Sequence, residues 1–459
     1  MPDIQVLVEI PGPQPYAQRE FTQKLNQRRN LRDSDIGEYL PEVKNLGIEL
    51  DRTKTPTPML GNPQNLWEFR QDGSLANVTA RSIIYSGLWA ERDLNSYENR
   101  PGEVRVWNNS ELTSPDLSGT GCSSHIPVVD LEDVRLTLGL SDTAMATDCS
   151  GITVGIIDDG INHDVYPVAN NDQDFSWLQN DSNVVAGQAD IGSHGSMCAA
   201  AIQICAPNAR IYDFPVFPDA NSAKLLNMLN WIISERGSNP NFPRILSNSF
   251  SFSLGPRNNT DSPFHETRNR DHPINRKYQE LANLGCTVVF AAGNCGSCEI
   301  CGDQCADMSC GDLSIGSGNS IHGPNSLPEV ITVGAVDINN QRLGYSSQGA
   351  GYFLPGLKPD LMGYTHYRGN FGEMRPGGRF VSDCDKGTSA AAPQVAGLAA
   401  LIMAKAFPVI MSPDEVYECL RYNQKVHDPN MGYATINASL SLRFLEELRN
   451  GNWDPTLLI

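Results

Sequence analysis

The sequence predicts an α/β fold: a three-layer αβα domain with a mainly parallel sheet, preceded by a small α+β unit of ferredoxin-like order. Three observations carry this. Five largely apolar runs read as strands: Ile152 to Ile157, which is continuous, then Ala209 to Val216, Ile245 to Ser251, Cys286 to Ala292 and Val330 to Val336. Between them lies helical spacing, as in Leu225, Leu226, Leu229, Ile232 and Ile233. Strands of that kind are buried on both faces, which a parallel sheet covered by helices provides. Before residue 110 the order changes to strand, helix, strand, helix, strand, the split unit of ferredoxin-like folds.

In chain order, Ile4 to Ile10 alternates as a strand and Tyr16 to Arg29 is helix-compatible. Thr55 to Pro63 is a Pro- and Asn-rich loop. Ala80 to Leu88 is expected as a strand, Ala90 to Glu98 as a short helix and Val104 to Trp107 as a strand. This closes an N-terminal unit over residues 1–110. The Gly, Ser and Pro of Asn108 to Ser124 open a linker, expected over 111–148. The α/β domain is expected over 149–448, with helices over Ala223 to Glu235 and Pro273 to Leu284, and a tail over 449–459.

The chain has 459 residues and a formal net charge of −19. It can bury a full core and a smaller second one. No Lys/Arg cluster stands out, so neither nucleic acid nor an anionic membrane is expected as a partner. The first ten residues have no basic segment and no long apolar stretch, so the chain as written is expected in the cytoplasm. Of the twelve cysteines, five crowd together at Cys295, Cys298, Cys301, Cys305 and Cys310. Three readings stay open for them: a disulfide-tied loop, a thiolate zinc site, or an iron–sulfur site whose spacing is only partly met. His163 and His265 lie in no motif and are expected on the surface; His322 and His366 are unassigned.

Chemistry concentrates in four places. Gly387-Thr388-Ser389-Ala390-Ala391-Ala392-Pro393 opens an apolar helix, so Ser389 sits where unpaired N–H groups favour negative charge. Asp158 and Asn294 stand at carboxyl ends of strands, where working residues of parallel sheets collect. His194 starts a helix after a Gly/Ser turn. A serine hydroxyl attacks an amide only if an imidazole takes its proton and a carboxylate holds that imidazole in the right tautomer. A side-chain N–H such as that of Asn294 can hold the resulting oxyanion.

With these motifs the chain resembles the subtilisin/kexin (subtilase) family of serine proteases. Val154 to Ile161, with its doubled Asp158-Asp159, resembles the catalytic-Asp motif in kexin-like form. Ser193 to Cys198 resembles the His motif, with Ser196 where Thr is usual. Phe290 to Asn294 resembles the oxyanion motif, and Gly387 to Pro393 the nucleophile motif. The order Asp158, His194, Ser389 is that of subtilisin. The resemblance implies a serine endopeptidase acting on peptides or proteins, with these three as catalytic residues and Asn294 in the oxyanion hole. It also implies that Ser249, Phe250 and Ser251 pair with substrate backbone as an added strand. The N-terminal unit would be an inhibitory propeptide, an intramolecular partner of the cleft, and the role a processing one. Asp159 is expected to cap a turn. No cofactor is required for catalysis. Structural calcium is common in the family, with Asp164, Asp172 and Asp174 as oxygen ligands. The reading from another class is a catalytically restrained, protease-shaped binding or regulatory module.

Overall fold

A computed structural model describes residues 3–11, 40–51, 54, 56–60, 80–90, 97–100, 102–113, 126–178, 184–217, 220–239, 242–252, 264–296, 320–353, 357–369, 384–422 and 424–450. Strand β1 (Asp3–Pro11) is followed by α1 (Leu40–Asn45), β2 (Glu49–Leu50), β3 (Thr57–Leu60), β4 (Ala80–Ala90) and β5 (Arg105–Asn108). They form an antiparallel sheet in the order β2-β4-β1-β5, with β3 also on β4. The pleat divides β1 between two cores. Val6, Val8 and Ile10 pack with Val43, Ile48, Tyr85 and Trp89 in a core of their own. Leu7 faces the other way, joining Met59, Ile84 and Trp107 against helices of the larger domain.

The larger domain begins with β6 (Leu112–Thr113), β7 (Val129–Asp130), α2 (Leu131–Thr137) and α3 (Asp142–Met145). The stretch expected as a linker over 111–148 therefore carries elements. Polar residues there serve as caps: Ser141 accepts from Ala144 N, and Asp130 opens α2. Next come β8 (Thr153–Asp158), α4 (His194–Cys205), β9 (Arg210–Pro215), α5 (Ser222–Ser238), β10 (Ile245–Asn248) and β11 (Ser251–Phe252). The chain continues through α6 (Pro273–Asn283), β12 (Thr287–Ala291), β13 (Ile331–Val336), β14 (Leu361–Tyr364) and β15 (Tyr367–Arg368). It ends with α7 (Thr388–Ala406), α8 (Pro413–Leu420), β16 (Ala434–Thr435) and α9 (Ala438–Arg449).

Seven strands form one parallel sheet in the order β16-β14-β13-β12-β10-β8-β9. Its two faces bury separate cores. Val154, Ile156 and Ile245 pack with α4 and α7. Ile157, Leu246 and Val288 pack with α5 and α6. The expected α/β sheet with helices on both faces is therefore present. After β9 the chain crosses back past β8 to β10. The strand order reverses there, the usual location of a cleft in such sheets.

Helix α7 runs through the first core. Gly397 lets it lie against α4, for a Cβ there would stand 2.3 Å from Ile202 O. Among the described residues α7 is the one helix long and apolar enough to cross a membrane, yet 89% of that window is buried in the protein, as befits a core helix.

The helix expected over Tyr16 to Arg29 lies outside the described residues. Three other expectations change. The loop expected over Thr55 to Pro63 contains β3, Thr57–Leu60. Ala90 closes β4 rather than opening a helix, and 97–100 is not helical. His265 is fully buried, as is His366; a lone histidine carries no pattern that tells surface from core.

Candidate active site

Strand β8 delivers Asp158 to the carboxyl edge of the sheet, fully buried. Its Oδ1 lies 2.8 Å from His194 Nδ1 and accepts from Asp159 N. His194 is the first residue of α4, and this helix start is tied to the turn after β8. Ser193 accepts from Ser196 N and donates to Gly160 O. The Asp159 carboxylate accepts from His194 N at 3.1 Å and Gly195 N at 2.7 Å. The doubled acid thus divides its work. Asp158 holds the imidazole, and Asp159 satisfies the free N–H groups of the helix that carries it. Burial, then the neighbouring Asp158, pushes Asp159 up to about 6. Burial pulls His194 down, but Asp158 and Asp159 outweigh it and leave its pKa raised.

Ser389 sits in the first turn of α7, after Gly387 at a φ of 78°. Such a backbone favours glycine and lets the chain turn sharply into the helix. Pro393 lies inside this helix. It has no N–H to give Ser389 O, four residues earlier. That carbonyl accepts instead from Ser249 Oγ at 3.4 Å and from Cys198 Sγ at 3.7 Å. Cys198, one turn along α4 from His194, also lies 3.6 Å from Asp158 Oδ2 and 3.9 Å from His194 Nδ1. One thiol therefore touches all three motifs.

Asn294 follows β12. Its Oδ1 accepts from Thr388 N and Thr388 Oγ1, each at 3.0 Å. Thr388 Oγ1 in turn accepts from Gly293 N at 3.2 Å. With its oxygen pinned to the start of α7, the Asn294 amide nitrogen is the group left to donate beside Ser389.

The hydroxyl and the imidazole are not joined. Ser389 Oγ donates to Ser249 O at 3.3 Å, and His194 Nε2 is buried without a hydrogen-bond partner. Such bonds are often unmade until substrate arrives.

The three residues expected to bind substrate backbone differ in place. Ser249 follows β10 and touches Ser389. Phe250 is buried, with ring centroids 5.9 Å from Phe290, 6.1 Å from Phe217 and 6.2 Å from Phe252. Ser251 pairs with Thr113 and Phe252 with Leu112, antiparallel. The protein's own β6 thus lies along this strand. It is held on its other side by Leu112 N donating to Ala220 O and Ser222 N donating to Ser110 O, each at 2.9 Å. This stretch falls at the start of the expected linker. A two-residue strand has no periodicity that could have revealed it.

Two of the acids expected as calcium ligands, Asp172 and Asp174, take part in hydrogen bonds of their own loop. Asp172 accepts from Gln188 Nε2 and Asn171 Nδ2, and Asp174 from Ser176 N. These oxygens serve the loop itself. Among the described residues one group of Asp, Glu, His or Cys converges closely enough for a metal: Asp158, His194 and Cys198, within 4.8 Å of one another. Its imidazole nitrogen already serves the carboxylate. Cys295 is disulfide-bonded, to a partner outside the described residues. The rest of the Cys295–Cys310 cluster also lies outside them.

A family model described as the subtilase family, Peptidase_S8, matches residues 149–437, more than half of the chain. The chain belongs to the subtilase family. It is 26% identical over 329 residues to "Serine protease AprX" of Bacillus subtilis (strain 168), covering 64% of this chain and 66% of that protein. It is 27% identical over 265 residues to "Subtilisin E" of the same organism, covering 56% of each. The chain thus spans just under two thirds of the first subtilase relative and about half of the second. Among solved structures it is similar to a lanthipeptide protease, at 18% identity and a TM-score of 0.49, covering 73% of this chain and 99% of that one.

Proposed function

We propose that this subtilase is a serine endopeptidase that holds its own N-terminal segment in its cleft. The observation that carries the reading is the buried contact of His194 Nδ1 with Asp158 Oδ1, beside a serine on a helix start. Ser389 Oγ leaves Ser249 O and attacks a peptide carbonyl carbon. Its proton passes to His194 Nε2. Asp158 keeps the imidazole proton on Nδ1 and stabilises the imidazolium that forms. The oxyanion is held by the Asn294 amide and the Ser389 N–H. His194 then gives its proton to the leaving amine, and water repeats the sequence on the acyl-enzyme. Four groups from four segments meet at the reversal of strand order, and no cofactor enters this sequence.

Residues 109–113 act as an intramolecular inhibitor in this reading, and the sheet before them as a propeptide that carries the segment into place. The physiological role is limited processing of a peptide or protein precursor. The occupied cleft also supports the other reading, a restrained protease-shaped module that never releases its segment.

Incubating the purified full chain alone and with an unfolded protein tests this. Intact mass is followed over time in wild type and Ser389→Ala. Fragments and N-terminal trimming in the wild type alone support the reading. Trimming at equal rates in both chains, or in neither with no substrate cut, overturns it.

A further inference from the structure

Histidine 265 and Glu266, both fully buried, have no part in the chemistry above. Each touches the side chain of Ser110, which is 1% exposed. His265 Nε2 lies 3.2 Å from Ser110 Oγ, and Ser110 Oγ lies 2.9 Å from Glu266 Oε2. The tautomer follows from the other ring nitrogen. His265 Nδ1 accepts from the backbone N–H of Thr267 at 3.2 Å, and an amide can only donate. The ring proton is therefore on Nε2, where it donates to Ser110. Burial, aided by Arg268, draws the pKa of His265 down to about 4, so the ring is neutral near pH 7. The hydroxyl passes its own hydrogen to Glu266. One donor and one acceptor thus meet one atom, and a hydroxyl is the group that answers both.

Other contacts on this segment mostly read the main chain. Asn108 N donates to Phe264 O, and Asn108 O accepts from His272 Nε2. Ser110 O accepts from Ser222 N, and Leu112 N donates to Ala220 O. Such bonds hold any extended peptide. Side chains are read at Asn109, whose Oδ1 accepts from Ala223 N in the first turn of α5, at Ser110, and at Leu112, which joins the second core. Glu111 is exposed.

We propose that His265 and Glu266 form a hydroxyl-selective subsite of the cleft, taking a Ser or Thr two residues before an aliphatic residue in an extended peptide. Ser110 fills it here; a substrate crossing the same strand edges would fill it in turn. This rests on the reading that the cleft receives peptide chains. An alanine in that place takes the hydroxyl from a buried N–H and from a buried carboxyl oxygen, which is costlier than losing an exposed bond.

Full-length chains carrying Ser389→Ala, so that none can cut itself, are compared with Ser110 kept, with Ser110→Ala and with Ser110→Thr. Hydrogen exchange is read at the Leu112 and Ser222 amides, which donate to Ala220 O and Ser110 O and so tie the segment to residues 220–222. Ser110→Ala is expected to exchange about tenfold faster or more, and Ser110→Thr within about threefold of the parent. Ser110→Ala at the parent rate overturns the proposal, and so does Ser110→Thr as fast as Ser110→Ala. A second measurement uses the wild-type chain and two peptides with Asn-Ser-Glu-Leu-Thr or Asn-Ala-Glu-Leu-Thr ahead of one common sequence. A kcat/KM about tenfold higher for the serine peptide supports the subsite; equal cleavage of both overturns it. If neither peptide is cut, even by a chain whose N-terminal segment has been trimmed away, while the exchange difference stands, the subsite holds and the protease reading fails.

Discussion

Among the described residues Glu9 is the ionic link between the N-terminal sheet and the larger domain, and its replacement by Gln should separate the two in a pH-dependent way. Its side chain is 1% exposed. Arg276, on α6, reaches it twice, Nη1 to Oε1 at 3.0 Å and Nη2 to Oε2 at 2.6 Å. Arg105 Nη2, Trp107 Nε1 and Ser82 Oγ complete the shell at 2.7, 3.1 and 2.5 Å. Burial alone would raise this carboxyl, but Arg276 first and Arg105 next bring it from 4.5 down to about 2. A depressed pKa means stability present above pH 4.5 and lost as the pH falls towards 2. That separation corresponds to roughly 3 kcal/mol. Glu9→Gln keeps the size, but turns an amide N–H towards an arginine and removes the charge. We expect urea unfolding of Glu9→Gln in the Ser389→Ala background to show a loss of that order at pH 7, shrinking steadily below pH 4.5. A gap equal at pH 7 and pH 2.5, or none at pH 7, refutes the reasoning.

Asp213 is fully buried, and its Oδ2 accepts from Ile161 N and Gly187 N. Burial raises its pKa from 3.8 to about 7. Its charge therefore costs stability as the pH rises from 3.8 through 7, so Asp213→Asn should gain on the wild type by roughly 2–4 kcal/mol between pH 4 and pH 8 in denaturant unfolding; a pH-independent difference counts against this. Gly397→Ala puts a methyl 2.3 Å from Ile202 O and should lower stability by roughly 1–3 kcal/mol in the same assay, whereas a neutral result would mean α4 and α7 are not pressed together. Asn294→Ala should lower kcat roughly a hundred- to a thousandfold with little change in KM, the range known for one such donor in subtilisin; an unchanged kcat removes Asn294 from the oxyanion hole. His194 acts as a base only when neutral, and its pKa is raised, so kcat/KM should climb with pH through a point above 6.5. A midpoint below 6.5 contradicts the Asp158–His194 contact.

Several parts of this site were legible as sequence because they are local. A continuous apolar run ending in Asp158 and another ending in Gly293-Asn294 state their own place in a parallel sheet, and the run of small residues around Ser389 states a tightly packed helix start. The role of Asp159 was partly legible. A cap on a turn was expected, and it caps a helix 35 residues on. What could not be read arises from distant pairing. Nothing near Ser110 announces His265, 155 residues away. Nothing near Pro393 shows that its missing N–H is answered by Ser249 and Cys198. Phe250 stands in a stretch expected to meet substrate, yet its ring belongs to the core, because backbone pairing leaves its side chain to pack. The strand at Leu112 is too short for any period to show.

Labelling with a fluorophosphonate probe, with the modified residue located by mass, tests the central claim most directly. The wild-type chain should take up one probe, on Ser389, and Ser389→Ala and His194→Ala should take up none. Labelling that persists in Ser389→Ala, or a wild type that stays unlabelled after its N-terminal segment has been trimmed away, would contradict it.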